Sequence, residues 1–227
     1  IFDQCHMAEH STVLEIGCGD GSLWLENKEK IPKQLHVVLS DISEGMLRDT
    51  RRAIHANVKT SRFDFQVFDC ERIPYPDNSF DLVIANHILF YCKNLTSVFE
   101  EISRVLKTGG TFVCSTYGAA HMKEINELVS EFDDRIVLSA DRLFERFGKE
   151  NGADLLAPYF QNIKWLSYED SLHVTEPETL ISYVLSCHGN QNQYLLDHFA
   201  EFRSFVKKKT DAGFSVTKDA GVFCCTK

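Results

Sequence analysis

Three glycines at alternate positions, Gly17, Gly19 and Gly21, share one short stretch with two carboxylate residues, Glu15 and Asp20. Apolar, β-branched residues precede this stretch and a helix-compatible segment follows it, which predicts a strand, a tight turn and a helix. Glycine lets the backbone adopt positive φ and lets a ligand lie against it, because no Cβ stands in the way. The two carboxylates and the lack of a basic residue in the turn favour a cationic ligand over a pyrophosphate.

The spacing of this turn differs from two common nucleotide-binding turns. A dinucleotide fingerprint needs a glycine at the position where this chain has Ser22. A phosphate-binding loop needs a Gly-Lys-Ser/Thr ending, which the turn also lacks. Both interpretations are therefore disfavoured.

Polar side chains also stand at the ends of three further predicted strands. Asp41 follows residues 34–40, Asp69 follows residues 63–68, and Asn86 ends residues 80–86. Strands and helices alternate here, which predicts a parallel sheet with right-handed crossovers. Ligands bind at the carboxyl ends of the strands in such sheets. We therefore expect the glycine turn and these three side chains to converge on one crevice.

The pattern Glu15-x-Gly17-x-Gly19-x-Gly21 resembles the first motif of the class I S-adenosylmethionine-dependent methyltransferases. In that family the loop passes under the methionine part of the cofactor. Asp41 is similar to the acidic residue of the family's second motif. The resemblance implies that its carboxylate accepts hydrogen bonds from both ribose hydroxyls.

Three later stretches carry the same resemblance. Asp69 and Cys70 resemble the third motif, in which the carboxylate accepts from the adenine amino group and the next N–H meets the ring. Residues 80–87, ending in Asn86 and His87, resemble the fourth motif, which lines the methionine and substrate side. Residues 104–110 resemble the turn before the fifth strand of small-molecule methyltransferases. The chain has no Asn-Pro-Pro-Tyr sequence, which disfavours methylation of N6-adenine or glutamine.

The resemblance implies S-adenosyl-L-methionine as cofactor, S-adenosyl-L-homocysteine as product and a small-molecule acceptor. It implies an α/β fold, with a Rossmann-like class I methyltransferase sheet that is mostly parallel, an antiparallel last strand and helical cap additions. The cofactor-binding residues that it implies are Glu15, Gly17, Cys18, Gly19, Gly21, Asp41, Ile42, Met46, Asp69, Cys70, Asn86 and His87.

Each assignment has a structural alternative. Asp41 could cap the helix that follows it, Asp69 could be a turn residue, and Glu15 could pair with a basic side chain. The size of Cys18 suits a position between two glycines, and Met46 suits packing, against the adenine face or elsewhere.

Methyl transfer needs a general base only where the acceptor must lose a proton. Side chains near the strand ends that could take this role are His87, Tyr91, Tyr117 and His121. His87, directly after the fourth strand, is the first candidate catalytic residue and Tyr91 the second. A structural histidine at position 87 is an equal alternative. The histidines and carboxylates have no metal-ligand spacing, so we expect no metal site.

We expect a single domain, residues 1–227, with a cofactor-binding core at 1–117. Helical additions at 118–162 and 175–210 are expected to cover the substrate side. Their aromatic side chains could line an apolar pocket or form the core of the additions themselves. These residues are Phe132, Phe144, Phe147, Tyr159, Tyr183, Tyr194 and Phe199.

Local patterns predict where other elements begin and end. The predicted helices include 23–28, 95–106, 121–132, a short one through 147 capped by Asp141, another through 159, and 176–187. Residues 190–193 are predicted to interrupt the helical region before a last helix that ends near 209. Residues 107–110 are predicted to stop a helix before a strand at 111–116. Residues 163–174 are predicted to form a strand, and 213–226 a hairpin-like pair of strands.

Composition limits the class of protein. The 227 residues carry a formal charge of −9, which disfavours a nucleic-acid partner, since such proteins need a basic face. No apolar run of about 18 residues occurs, and no signal peptide is recognisable, so we expect no membrane partner. None of the eight cysteines forms a Cys-x-x-Cys pair, which favours a reducing cytoplasm. The oligomeric state is left open.

Three functions are consistent with these patterns. The first is a methyltransferase that acts on a small metabolite. The second is a non-catalytic protein that binds S-adenosylmethionine or S-adenosylhomocysteine, because binding residues can persist without an acceptor site. The third is an NAD(P)-dependent oxidoreductase, which Ser22 disfavours.

Overall fold

The computed structural model describes residues 1–59, 61–139 and 141–227, and for Glu169 the backbone alone. The strands are β1 (Thr12–Ile16), β2 (His36–Asp41), β3 (Arg62–Val67), β4 (Phe80–Asn86), β5 (Leu106–Tyr117), β6 (Gln161–Val174) and β7 (Phe214–Thr226). The helices are α1 (Ser22–Leu25), α2 (Glu44–Asn57), α3 (Leu95–Val105), α4 (Lys123–Phe132), α5 (Leu143–Arg146), α6 (Gly152–Leu156), α7 (Pro177–Ser186), α8 (Gln191–Leu195) and α9 (Phe199–Thr210). Turns of 3-10 helix lie at Phe2–Gln4, Lys28–Lys30 and Leu89–Tyr91.

Within these ranges, seven strands form one sheet in the order β3-β2-β1-β4-β5-β7-β6. Neighbouring strands from β3 to β5 are parallel, and β7 runs antiparallel to both β5 and β6. The predicted fold class, a mostly parallel sheet with an antiparallel last strand, is therefore confirmed. The strand order reverses between β1 and β4, and such a reversal opens a crevice at the carboxyl ends of the strands.

The central strands are buried on both faces. Leu14 and Ile16 of β1 pack into a core with α3, whereas Val13 packs into a second core with α1 and α2. In β4, Val83 and Ile84 divide between the same two cores. Strands covered on both faces are continuous apolar runs rather than alternating ones, which explains the sequence pattern.

Side-chain caps set the start of the two helices that flank the crevice. Ser43 Oγ accepts a hydrogen bond from the Met46 N–H at 3.3 Å, so Ser43 caps α2 as predicted. Asn94 Oδ1 accepts from the Ser97 N–H at 3.2 Å at the start of α3. Because α2 begins shortly after β2, Asp41, the last residue of β2, lies near the N-terminus of the helix.

The helical additions divide between two cores. Phe147, next to α5, and Leu156 of α6 join the core with α3, so these short helices extend the main body. Helices α4, α7, α8 and α9 share a separate core that includes Val184 and Phe202 and reaches Val216 of β7. Position 140 of the predicted addition lies outside the described residues. That the additions cover a substrate side stays a prediction.

The predicted hairpin at residues 213–226 is wrong. The segment is one strand, β7, which pairs with β5 on one side and with β6 on the other. Gly221, inside β7, allows close packing against the neighbouring strand β6. A methyl group added there would lie 2.4 Å from the Leu166 carbonyl oxygen and 2.6 Å from the Trp165 ring.

Several predicted helix boundaries are also corrected. Helix α1 ends at Leu25, and α4 begins only at Lys123, because Met122 before it has a φ of 55°. Asp141 does not cap α5, whose N-cap residue is Arg142. The predicted interruption at 190–193 lies partly in α8, where the buried side chain of Gln191 donates to the Cys187 carbonyl.

The predicted helix stop at 107–110 lies inside β5. The strand pairs with β4 from Leu106, and the register shifts before Thr111 resumes the pairing. Lys107 Nζ lies 2.9 Å from both carboxylate oxygens of Asp81 on β4, which holds the irregular part of β5 against the sheet. In the described ranges, no helix combines the length and the apolar composition that crossing a bilayer demands.

Candidate functional site

The glycine turn after β1 adopts the conformation that only glycine takes readily. Gly17, Gly19 and Gly21 have φ angles of 65°, 54° and 77°. At Gly17 an added methyl group would lie 2.6 Å from Ile88 Cγ2, so this position also needs the missing side chain for space. The turn therefore lies directly against the segment that follows β4.

Asp41 holds this turn in place from the end of β2. Its Oδ2 accepts a hydrogen bond from the Gly19 N–H at 3.0 Å, and its Oδ1 accepts from the Ser43 N–H at 2.8 Å. From α2, Thr50 Oγ1 donates to the Gly19 carbonyl at 2.6 Å. The turn is clamped between β2 and α2. Because a carboxylate offers about four lone-pair sites, Asp41 can still accept two further hydrogen bonds.

A first cavity of about 390 Å³ lies between this turn and the ends of β2, β3 and β4. Eight of the predicted site residues line it: Gly17, Gly19, Asp41, Ile42, Asp69, Cys70, His87 and Tyr91. Sequence reasoning did not assign six further lining residues: Ser40, Phe68, Glu71, Ile88, Cys92 and Lys93.

Three of these six residues, Ile88, Cys92 and Lys93, flank one short turn. After β4 the chain makes a 3-10 turn at Leu89–Tyr91, which brings Ile88 and Cys92 back to the cavity wall. The sequence predicted a plain loop here. No spacing in this stretch signals the return, because the turn is only three residues long.

Asp69 lies on the cavity wall and also forms the predicted turn. Its Oδ1 accepts a hydrogen bond from the Glu71 N–H at 3.0 Å, and its carbonyl accepts from the Arg72 N–H at 2.9 Å. Glu71 Oε1 in turn accepts from the N–H groups of Lys93 and Asn94. Asp69 is thus a turn residue through its Oδ1, as the structural alternative expected. Among the described residues, Oδ2 has no hydrogen-bond partner and remains available at the cavity.

Glu15 lies behind the turn rather than on the wall of the first cavity. The residue is 1% exposed, and its Oε2 accepts a hydrogen bond from Trp24 Nε1 at 2.6 Å. Burial raises the pKa of Glu15 to about 8, against the lowering effect of the Trp24 bond, and Asp41 and Asp20 add to the rise. A pKa of about 8 leaves this carboxyl group protonated at neutral pH. The partner is a tryptophan, not the basic residue of the structural alternative.

Three other predicted residues lie beside the first cavity without lining it. Cys18 is buried among core residues of the α1 and α2 side, and its N–H donates to the Ser40 carbonyl. Gly21 lies close to Thr50 on α2. Met46 is 44% exposed, and its methyl group lies 3.9 Å from where a Gly19 side chain would begin. Their assigned roles toward a cofactor stay predictions.

The expected convergence on one crevice is corrected for Asn86. Its Oδ1 accepts a hydrogen bond from Ser115 Oγ at 2.6 Å, because β4 and β5 are neighbours in the sheet. This bond turns the amide toward a second cavity of about 560 Å³, whose wall also includes His121, Tyr168 and Lys218. Two adjoining cavities therefore share the strand ends.

His87 belongs to the walls of both cavities. Its φ is 55°, an uncommon left-handed conformation for a residue with a side chain, and its N–H donates to Ser115 Oγ at 3.0 Å. Much of its surface is open to the crevice, yet desolvation by the surrounding walls lowers the pKa of His87, and His121 adds to the shift. The imidazole is therefore neutral at pH 7. Strained residues of this kind cluster at functional sites.

The remaining candidate bases surround the same region. Tyr91 is 67% exposed at the mouth of the first cavity and packs on Phe90, with ring centroids 4.8 Å apart. The rings of Tyr117 and His121 pack together, with centroids 5.1 Å apart. Burial raises the pKa of Tyr117 and lowers that of His121. His121 Nδ1 is buried, and no described residue bonds to it. Within the described ranges, no group of three metal-ligating side chains occurs.

A third cavity of about 610 Å³ adjoins the second at His121. Tyr117, Phe144 and Tyr183 contribute aromatic walls to it. Most of the other aromatic residues of the additions instead pack within hydrophobic cores: Phe132, Phe147, Tyr159 and Tyr194. Phe199 is 37% exposed. Some of these side chains thus line a cavity whose wall also carries charged residues such as Lys123 and Arg142, and others form cores. That they line an apolar substrate pocket stays a prediction.

Comparison with known proteins adds a family to this geometry. Residues 14–114 match the family model of the methyltransferase domain. Over 111 residues the chain is 33% identical to demethylmenaquinone methyltransferase of Symbiobacterium thermophilum, a match that covers 49% of this chain and 44% of that protein. The chain thus spans less than half the length of this relative.

Solved structures show the same fold over nearly the whole chain. YcgJ of Bacillus subtilis superposes with a TM-score of 0.61 at 16% identity and covers 100% of this chain and 95% of that one. Phosphoethanolamine N-methyltransferase 2 of Haemonchus contortus, solved in complex with S-adenosyl-L-methionine, has a TM-score of 0.56 at 20% identity and covers 97% and 49%. Residues 14–114, which contain the glycine turn, thus match a methyltransferase domain, and the sheet has the fold of the class I S-adenosylmethionine-dependent methyltransferases.

Proposed function

We propose that the first cavity holds S-adenosyl-L-methionine and that the chain catalyses transfer of its methyl group to a small-molecule acceptor. The observation that carries this proposal is the juxtaposition of the positive-φ glycine turn, Asp41 and Asp69 around one cavity of about 390 Å³. That volume lies within the roughly 300–1,000 Å³ of small-molecule sites.

The residues on the cavity wall fit the chemical groups of this cofactor. The free lone pairs of Asp41 suit a pair of ribose hydroxyls, since a carboxylate only accepts. Asp69 Oδ2 suits the adenine amino group, with the Cys70 N–H beside it. At Gly19 a side chain would meet only the Met46 methyl group, at 3.9 Å, so the backbone there is open to the methionine part. The carboxylates also favour a cationic cofactor over the pyrophosphate of a nicotinamide dinucleotide.

The cofactor's sulfonium group supplies an activated methyl group, so the protein mainly aligns the acceptor and excludes water. We assign the acceptor to the second cavity, because His87 belongs to the walls of both cavities and the paired residues Asn86 and Ser115 of β4 and β5 also line the second. A neutral His87 can take a proton from an acceptor that must lose one. Tyr91, at the mouth of the first cavity, is the second candidate for this role.

A small acceptor is supported by charge and by similar proteins. The formal charge of −9 disfavours nucleic acid. Two of the similar proteins are a demethylmenaquinone methyltransferase and a phosphoethanolamine methyltransferase, whose acceptors are small molecules. We also propose a cytoplasmic location, because all eight cysteines are free thiols, as is usual in a reducing compartment.

The test is calorimetric titration of the protein with S-adenosylhomocysteine, with NADH in parallel. We expect micromolar binding of S-adenosylhomocysteine, little binding of NADH, and a loss on the order of a hundredfold in Asp41→Ala, which removes charge-assisted hydrogen bonds. Asp49→Ala is the matched control, because that exposed carboxylate lies on α2 and forms ion pairs with Arg48 and Arg52 of the same helix. Binding of NADH alone would overturn the proposal in favour of an oxidoreductase.

A further inference from the structure

Two thiols face each other across the wall of the first cavity. Cys70 follows β3, and Cys92 follows the 3-10 turn after β4. Their Sγ atoms are 3.5 Å apart, although the residues are 22 positions apart in the chain. Both line the cavity and both are partly buried. Neither belongs to a Cys-x-x-Cys motif, so only the fold brings them together.

We propose that Cys70 and Cys92 form a peroxide-sensitive dithiol site, whose oxidation to a disulfide narrows the first cavity and weakens cofactor binding. The second half of this proposal rests on the proposed function of the cavity.

The local environment suits this pair better than the other cysteines. The two thiols share a hydrogen bond in which either sulfur can be the donor, and this contact lowers the pKa of Cys92 and raises that of Cys70. Burial and the carboxylates of Glu71 and Asp69 oppose this lowering of the Cys92 pKa, and Arg146 adds to it. In contrast, burial raises the pKa values of Cys5 and Cys225 to about 12, so these thiols stay protonated. Peroxide reacts with thiolates, and Cys92 also lines an open cavity through which peroxide can enter.

The oxidation balances with one hydrogen peroxide and two thiols. The Cys92 thiolate attacks one peroxide oxygen, the O–O bond breaks, and the leaving hydroxide takes a proton to become water. The resulting sulfenic acid is attacked at sulfur by Cys70, the S–O bond breaks, and the hydroxide leaves with the Cys70 proton as a second water. Two electrons pass from the sulfurs to the peroxide.

The geometry leaves a short movement to complete. A disulfide bond is about 2.05 Å long, so the sulfurs must approach by about 1.5 Å from 3.5 Å. Both residues lie in irregular segments, outside the strands and helices, so the sheet need not move. Cys70 adjoins Asp69, and Cys92 lies four residues after Ile88, whose methyl group meets Gly17. Drawing the two segments together therefore shifts the wall on which the cofactor would lie.

The experiment oxidises the reduced full chain with a stoichiometric series of hydrogen peroxide. Mass spectrometry of non-reduced digests identifies the first disulfide, and calorimetry measures the affinity for S-adenosylhomocysteine before oxidation, after it, and after dithiothreitol. We expect a linked Cys70–Cys92 peptide, an affinity lower by on the order of tenfold or more because the cavity becomes overpacked, and recovery on reduction.

Two variants separate this site from general oxidation. In Cys92→Ser the ratio of reduced to oxidised affinity should fall to about one, with the variant's own reduced form as reference. Cys187→Ser, which removes another partly buried thiol that lines the third cavity and not the first, should keep the full response. A response that persists in Cys92→Ser would overturn the proposal, as would a linked peptide without any change in affinity.

Failure of this proposal is distinguishable from failure of the proposed function. If the reduced protein binds no S-adenosylhomocysteine, the proposed function and the effect on cofactor binding are both overturned. The linked peptide then still decides whether the two thiols form the disulfide. If the reduced protein binds and no linked peptide forms, the dithiol site alone is overturned.

Discussion

The buried carboxyl group of Glu15 makes a prediction about the pH dependence of folding. The residue is 1% exposed, and a hydrogen bond from Trp24 Nε1 is its one contact with a side-chain donor among the described residues. Burial raises its pKa to about 8, whereas an unfolded chain releases the proton near pH 4.5. Between these two pH values, Glu15 keeps its proton in the folded chain and has lost it in the unfolded chain.

The direction and size of the effect follow from this difference. Between roughly pH 5 and pH 8 the folded state binds one more proton, so each unit of rising pH lowers the unfolding free energy by about 1.4 kcal/mol. Across the window the contribution of Glu15 falls by on the order of 4 kcal/mol. The stability is fully present below the unfolded pKa and is lost as the pH rises to about 8.

Glu15→Gln removes the titration and keeps the shape. The amide oxygen still accepts from Trp24, and any fixed cost of the amide is the same at every pH, so it drops out of the comparison. We expect the stability of the variant relative to the native protein to rise by a few kcal/mol from pH 5 to pH 8. Glu26→Gln, an exposed glutamate in the same region, reports the effect of losing a charge alone.

Urea unfolding at pH 5, 6, 7 and 8 measures this difference, provided that the transitions are two-state. A second readout is the fluorescence of Trp24, measured in a Trp165→Phe background because the chain has two tryptophans. The folded protein should show a transition near pH 8 that Glu15→Gln lacks. A stability difference that is constant with pH would refute the reasoning, because it would mean that Glu15 is ionised in the folded state.

Three further substitutions and one control test the first cavity and the segments that support it. Gly17→Ala places a methyl group 2.6 Å from Ile88 Cγ2 at a φ of 65°, so we expect a loss of roughly 1–3 kcal/mol in urea unfolding. Gly45→Ala, in helix α2, places its methyl group 3.9 Å from the nearest neighbour, Ser43 Oγ, so it should raise the unfolding free energy by about 0.4–1 kcal/mol. Equal effects at both glycines would contradict this account. Arg104→Lys loses the planar group that binds a neighbouring glutamate and two carbonyls before β4, which should cost about 1–3 kcal/mol in the same assay. Asparagine tolerates the left-handed φ of residue 87, so His87→Asn should lower kcat by about 10²–10⁴ with cofactor affinity nearly unchanged. Because desolvation lowers the pKa of His87, the native rate should fall at acidic pH, and the variant should lack that fall. An unchanged kcat would give His87 a structural role.

The sequence predicted those parts of the site that depend on strand order. Asp41 and Asp69 follow buried strands, and parallel strands bring their carboxyl ends to one edge, so both reach the first cavity. The same reasoning was wrong for Asn86. A strand end limits a side chain to one edge of the sheet, but the hydrogen bond from Ser115, 29 residues later, decides which cavity it faces.

Contacts between distant segments explain most of what sequence reasoning missed. The pairing of Cys70 with Cys92 depends on a three-residue 3-10 turn that leaves no periodic signal. A hairpin is predicted at residues 213–226, but these residues form one strand, in which the bulk of Trp165 on the neighbouring strand explains why a glycine stands at Gly221. Local patterns report backbone preference, whereas these features depend on which strands become neighbours.

Methyl transfer to a small acceptor is tested most directly by following tritium from methyl-labelled S-adenosylmethionine into the acceptor. The native protein and Asp41→Ala are incubated with three separate acceptor pools, namely small metabolites, transfer RNA and protein. We predict label in the small-metabolite pool with the native protein and little with Asp41→Ala. Label only in RNA or protein would contradict the proposed acceptor. Tight cofactor binding with no label in any pool would contradict catalysis and indicate a protein that only binds the cofactor.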